Sequence, residues 1–515
     1  MVCKLNIKLK KTKKLALGVF IGVGVLALTL LFLNNYLENK ITKSIEENLV
    51  KVNGTFDKVD VKLLDRRAEV VNPSFIIKGK TLKVDGILLD DIQLWDYIIN
   101  KDIIVGNLNI ANPVVKVFNF QKEEKDSSTS KKSANFKNKV LIKNLSIDGG
   151  SFQIFEKDST EHRLFTKIKD IKMEQVRINS ETLKETVPFN YDLILLNADS
   201  IFYDLNDQHK LAAGSFEIDN NKVLVQNLQI IPKFSKAGHQ KTINIEKDRY
   251  DLKIDSLSMD SFNWTMQNDS LKIHNSFTRI SGVNFDIYRD KLQPDDTSIK
   301  PLYGKMIREM PILVNLDSVE VENTYLRYEE RMHAERESGV VDFSNLNARI
   351  KNITNMGLDR EDFPKTVLIA TANFMKQAPL KVNMEFDISN RNDNFHITGN
   401  MGQLAAEQMN KFMKPAMNVE ASGDILDMYF NFYGNHTKAS GDMRLEYNDF
   451  KVEVLQKDGS KKNKFVSALA NLIVKNKAIN EKANYKEISF TRDKTKSFWN
   501  YLWNLLKNGA LKSFL

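Results

Sequence analysis

The chain has 515 residues, 42% hydrophobic and 27% charged, with 22 glycines, 10 prolines and one cysteine. That balance excludes a collagen-like or mostly disordered chain and leaves room for several domains or one long repetitive one. The formal net charge is +9, but the first 14 residues hold six lysines and no acid; subtracting those six leaves +3 over the remainder, too little for a nucleic-acid-binding surface.

The basic segment 1–14 runs into LALGVFIGVGVLALTLLFL, residues 15–33, which is 19 residues without a charge. As a helix it reaches about 28 Å, close to the hydrocarbon thickness of a bilayer, and predicts a transmembrane span. It ends in Phe32-Leu33-Asn34-Asn35-Tyr36. That offers no small-x-small cleavage site, so a retained anchor is expected instead of a signal peptide. The preceding lysines should stay cytoplasmic and the bulk of the chain should lie across the membrane. Cys3 falls on the reducing side, so the exported part holds no disulfide.

Residues 34–50 repeat Tyr36, Leu37, Ile41, Ile45 and Leu49 at three- and four-residue steps, a membrane-proximal helix. From 51 the period becomes two. IIVGNLNIANPVVKVF (103–118) recurs without a gap as VLIKNLSIDGGSFQIF (140–155). Leu108, Ile110, Val115 and Val117 align with Leu145, Ile147, Phe152 and Ile154, and polar residues alternate between them. These eight predict one apolar sheet face. The pattern points first to a closed sandwich core and second to a long curved sheet whose apolar face stays partly open, on which acyl chains could lie; alternation does not tell the two apart. Segment 90–102 reads as a helical turn with Leu94, Tyr97 and Ile98, and the charged, serine-rich 121–139 as a loop.

Alternating runs continue to about 455, at spacings of 8 to 12 residues, and predict roughly two dozen antiparallel strands. The internal helix is expected over 401–415, stopped by Pro415, and the recurrence of Ala-Ser-Gly-Asp at 421 and 439 predicts a hairpin. Phe498, Leu502, Leu505 and Leu506 make the stripe of an amphipathic helix over 493–515, with Trp499 and Trp503 beside them and Lys494, Lys496, Lys507 and Lys512 around it. These six apolar residues are the expected membrane-interface contacts, docking or closing the far end of the sheet. A stripe that merely covers the last sheet edge gives the same pattern.

No metal-ligand spacing, nucleophile elbow, dinucleotide fingerprint or phosphate loop occurs, and no cysteine follows the apolar run. No enzyme activity, cofactor or metal is therefore expected. The expected fold is mainly β. It begins with a transmembrane helix (15–33) and a membrane-proximal helix (34–50), continues as an elongated antiparallel domain (51–492), and closes with the tail helix.

The lysine cap, the single span, the block 81–118 and the stretches 311–354 and 397–430 with the doubled Ala-Ser-Gly-Asp resemble, in that order, the AsmA-like family of Gram-negative envelope proteins, relatives of TamB and the bridge-like lipid-transfer proteins. The resemblance implies an inner-membrane anchor, a periplasmic taco-shaped β-groove, phospholipid as cargo, and a part in outer-membrane biogenesis with envelope assembly proteins as partners. The alternative expectation is an anchored scaffold for outer-membrane proteins that offers strand edges without moving lipid.

Overall fold

The computed structural model describes residues 54–62, 65–77, 80–119, 139–156, 161–185, 187–267, 270–455, 477–478 and 485–514, with Lys43, Glu46 and Glu47. The basic tail, the apolar segment 15–33, nearly all of 34–50 and residues 121–138 lie outside them. Among the described residues, no helix is long and apolar enough to cross a membrane.

Among the described residues the strands form one 27-stranded sheet. Its first part consists of long strands that each break at a corner. They are β1 and β2 (Gly54–Thr55, Lys58–Lys62), β3 and β4 (Arg67–Val71, Ser74–Ile77), β5 and β6 (Lys80–Lys83, Gly86–Ile92), β7 and β8 (Ile103–Ala111, Val114–Asn119), and β9 and β10 (Val140–Asp148, Ser151–Glu156). The corners fall on Asn72-Pro73, Val84-Asp85, Asn112-Pro113 and Gly149-Gly150. Asn72 and Asn112 are left-handed, at φ 49° and 47°. Backbone bonds stitch the corners into a line: Asn72 N–H donates to Asp85 O at 2.9 Å, Asp85 N–H to Ala111 O at 3.0 Å, Asn112 N–H to Asp148 O at 2.8 Å. The Asn side chains donate to neighbouring carboxylates, Asn72 to Asp57 at 2.6 Å and Asn112 to Asp85 at 2.9 Å. Gly149 has no alternative: at φ 75° an added Cβ would lie 2.2 Å from Asn112 Oδ1.

The long strand β11 (His162–Ile178) pairs with β10 along its first half and with β9 along its second, joining the two arms. The repeat seen in the sequence is a register. β7 and β9 pair residue for residue at the offset of the repeat (Leu108↔Leu145, Ile110↔Ile147), and β8 and β10 do the same (Val115↔Phe152, Val117↔Ile154). Both pairs are parallel, which corrects the all-antiparallel expectation. On the polar face Asn144 donates to Asn107 at 3.0 Å and Asn109 to Ser146 at 2.9 Å, side chain to side chain.

Past β11 the sheet continues as β12 (Leu193–Asp204), β13 (His209–Asp219), β14 (Lys222–Pro232), β15 (Asp248–Asp260) with its extension β16 (Asn263–Gln267), β17 (Ser270–Asp290), β18 (Leu313–Arg331), β19 (Gly339–Thr354), β20 (Thr366–Phe374), β21 (Ala378–Phe386) and β22 (Phe395–Met401). Then come β23 (Leu404–Ala405), the hairpin β24 (Val419–Gly434) and β25 (Lys438–Val454), β26 (Lys477–Ala478) and β27 (Tyr485–Thr491). β17 and β18 are a third parallel pair, with 291–312 as the crossover.

Four of the helices sit at the two ends and one at mid-span. α1 (Leu94–Asn100) packs Leu94 and Tyr97 against the proximal core, and α2 (Lys236–Lys241) lies between β14 and β15. α3 (Tyr303–Arg308), α4 (Ala406–Met417) and α5 (Phe498–Phe514) gather at the distal end. α4 starts at Ala406, not at 401, because Met401 and Leu404 stay in the sheet. Pro415 lies inside it, and Asn418 at φ 58° ends it.

Candidate functional site

The buried apolar residues form two clusters. The proximal one fills the angle between the arms and runs from Val59 to Ile194; the distal one lies under α3, α4 and α5 and takes its first sheet-borne residue after β20. β13 to β20 contribute no buried residue to either cluster. At the distal end of this span α4 lies over β19 and reaches β18, and Val341, Leu368 and Phe374 of β19 and β20 pack against the distal core. The rest, β13 to β18, has no second layer among the described residues and is about 24 Å long at 4.8 Å per strand.

Three rows of side chains cross it on one face. The first leaves the proximal core at Leu196 and passes through Ile218, Val223, Met259, Thr278, Val319, Ile350 and Leu368 into Met384 of the distal core. Only Thr278 is polar. The second runs Ala198, Phe216, Val225, Leu257, Ile280, Val321, Ala348 and Ala370, and the third Tyr203, Leu211, Ile230, Leu252, Phe285, Leu326, Phe343 and Phe374. Apart from Val223, Thr278, Val319 and Ala198, these residues are only partly buried. The opposite face is polar and ion-paired: Arg327 reaches Asp286 at 2.9 Å, Arg279 reaches Glu320 at 3.8 Å, and Arg349 binds the same Glu320.

Between the second and third rows lies a line of bulged, left-handed positions, Ser200, Asn227, Gly282, Asn323 and Asn345, with φ from 49° to 67°. Gly214 and Asp255 complete it, and a Cβ on Gly282 would fall 2.0 Å from the Asp255 carboxylate. Bulges bend strands, so this line continues the crease of the proximal arms through the open span.

One rim of the span is polar. Asp248 and Arg289 pair at 2.6 Å, and Lys291 and Glu330 at 2.7 Å. Burial, with Glu330 beside it, pushes the Tyr328 hydroxyl well above the ordinary tyrosine range. His209, 4% exposed, accepts the Tyr250 N–H at Nε2 (2.9 Å) and stacks on that ring at 5.4 Å. Burial first, and then nearby His239, hold its pKa down at about 4. A cavity of about 560 Å³ opens beside it, lined by Asp207, Gln208, Phe234, Thr242, Ile245 and Lys247 among others. Among the described residues no cluster of His, Cys, Asp or Glu could hold a metal ion.

No protein-family model matches the chain, and no curated protein matches it. The chain is mainly β and is built on one large, mostly open sheet.

The eight residues expected to line a groove do share one face, but it is covered. Leu108, Ile110, Val115, Val117, Leu145, Ile147, Phe152 and Ile154 are 0 to 7% exposed in the core where the arms close on each other. The corner turns β8 and β10 back over β7 and β9, so each arm hides the face of the other. Of the six residues expected at a membrane interface, Phe498, Leu502 and Leu505 are buried in the distal core and Leu506 packs against it; Trp499 and Trp503 are 53% and 38% exposed. The apolar stripe of α5 therefore meets the sheet and not a bilayer. Phe498 touches Phe395 ring to ring at 5.5 Å, and Trp503 touches Phe412 of α4 at 5.8 Å. The residues of the open span, such as Leu257 and Ile280, were readable as strand positions; what sequence alternation lacked was any sign of what covers each face.

Proposed function

We propose that the chain is an AsmA-like, inner-membrane-anchored envelope protein that binds the acyl chains of phospholipid along the open span of its sheet and takes part in lipid movement toward the outer membrane. The observation that carries this reading is the trio of nearly unbroken apolar rows, which from β13 to β18 have no covering layer among the described residues. Each methylene laid on such a face gains roughly 0.8 kcal/mol on leaving water. A lipid sliding along the rows meets nearly constant chemistry. The uncharged 15–33 segment behind six lysines supports an anchor beside a lipid source, with the sheet on the periplasmic side. The ion-paired opposite face supports a sheet that is wet on one side only.

Full-length protein extracted from membranes should bring phospholipid with it, and a reporter active only in the periplasm should work when fused after Leu515. Recovery without lipid, from preparations that retain the folded sheet, would remove the lipid reading. An inactive but well-expressed reporter would reverse the orientation. One feature favours the scaffold alternative: β27 is the last strand of the sheet, with Tyr485 on it 51% exposed. Lys512 of α5 already donates to the Glu487 carbonyl of that strand at 2.7 Å, which partly occupies it. Capture of unfolded barrel protein without lipid would select that alternative.

A further inference from the structure

We infer that the open span is a compartment closed at both ends, holding one or two diacyl lipids at a time, so that this chain carries lipid as discrete cargo and does not conduct it along its length. The inference rests on the lipid reading above and specifies it.

The chemistry alone would permit a conduit, because the first row continues without a break into both cores: upstream through Ile171, Ile147 and Ile110, downstream through Ile397 to Phe432. Space is what ends it. At the proximal end Ile110 and Val117 lie on opposite arms of one cluster and are each 2% exposed, so the angle is filled by the protein's own side chains. At the distal end Ile397 and Phe432 are 0% exposed, in the core that Phe498, Tyr501 and Leu505 of α5 complete. Interiors packed this way hold few voids larger than a water molecule, and an acyl chain cannot pass through one. Between them Val225, Leu257, Ile280 and Val321 remain partly exposed.

The size of the compartment sets the cargo. One leaflet of a bilayer is about 15 Å of hydrocarbon, so a span of about 24 Å takes one acyl chain along a row with about half a chain to spare, and the three rows side by side take the chains of one or two diacyl lipids. The charged rim at Asp248, Arg289, Lys291 and Glu330 lies at the strand ends, where a polar head group would leave the apolar face.

The test uses the wild-type, full-length protein in proteoliposomes that contain a phosphatidylethanolamine with a photoactivatable group in one acyl chain. After illumination the adducts are mapped by peptide. They should fall within 209–374, and those within 103–156 and 395–454 should be lower by about tenfold or more, because denying a site to as few as two methylenes already lowers its occupancy that far. Native mass spectrometry of the unmodified protein should count one or two phospholipids. Adducts of equal density from 103 to 454, or a count well above two, would overturn the closed compartment while leaving lipid binding intact. Adducts nowhere on the sheet would overturn the lipid reading itself, and this inference with it.

Discussion

Gly399 and Phe430 face each other across β22 and β24, and the phenyl ring lies over the glycine so closely that an added Cβ would sit 2.1 Å from its tip. Gly434 and Phe395 repeat the arrangement two rows away, at 2.3 Å. An aromatic ring laid over a cross-strand glycine fills space that two larger residues could not share. Gly399→Ala is therefore expected to destabilise by about 1–3 kcal/mol, the usual cost of overpacking, read as a lower urea midpoint. An unchanged midpoint would mean that the ring moves freely.

His209 gives a second expectation at this scale. Its folded pKa, about 4, lies below the ordinary 6.5, so the unfolded chain binds the proton first as pH falls. The stability it contributes is whole above pH 6.5, falls between 6.5 and 4, and has gone below that. The shift corresponds to at most about 3 kcal/mol. His239 is shifted the same way, also chiefly by burial, and adds to the slope. Denaturation midpoints at pH 7 and pH 5 should differ more for the wild type than for His209→Gln; equal differences would show that His209 plays no part.

At the level of elements, the repeat at 103 and 140 was legible because a parallel pair in direct register places equivalent residues side by side, so chemistry that suits one strand suits the other. The hairpin at 419–454 was legible from its turn spacing. The crease was present in the sequence as Asn72-Pro73, Asn112-Pro113 and Gly149-Gly150 at matching places in successive strands. The patterns 103–118 and 140–155 read straight through the second and third of these, since local turn chemistry does not reveal whether a strand continues straight or turns a corner and resumes. The tail helix was legible as a helix but not in its partner, because a stripe of Phe and Leu suits a sheet as well as a membrane.

That correction changes what truncation should do. α5 supplies Tyr501, 2% exposed, and Leu505, 0% exposed, to the distal core, and Gly509 lets it approach Met443. Removing residues 498–514 uncovers an apolar face several strands wide, so the shortened protein should lose β24 to β27 to proteolysis and not survive as a folded, merely inactive form. A truncated chain as protease-resistant as the parent would show that α5 is a removable cover.

From β2 to β27 the sheet spans roughly 90 Å, of which only about the middle quarter is open among the described residues. The ends are alike in function and unlike in construction: one closes by folding the sheet on itself, the other by laying helices on it.

The rows have a consequence for capacity. Each strand adds one residue to each row, so the compartment is a ruler graduated in strands, and its cargo changes in steps. Lengths come in hairpins, because removing an even number of strands preserves the direction in which the next one must run. A chain lacking 209–232 would let β12 meet β15 antiparallel and shorten the compartment by about 10 Å, leaving the distal closure untouched and taking only the flanking Ile218 from the proximal one. It should hold fewer lipid chains than the parent by native mass spectrometry, and an unchanged count would mean that the strands do not set the measure. Changes in the number of central hairpins would then be changes in payload, made without rebuilding either end.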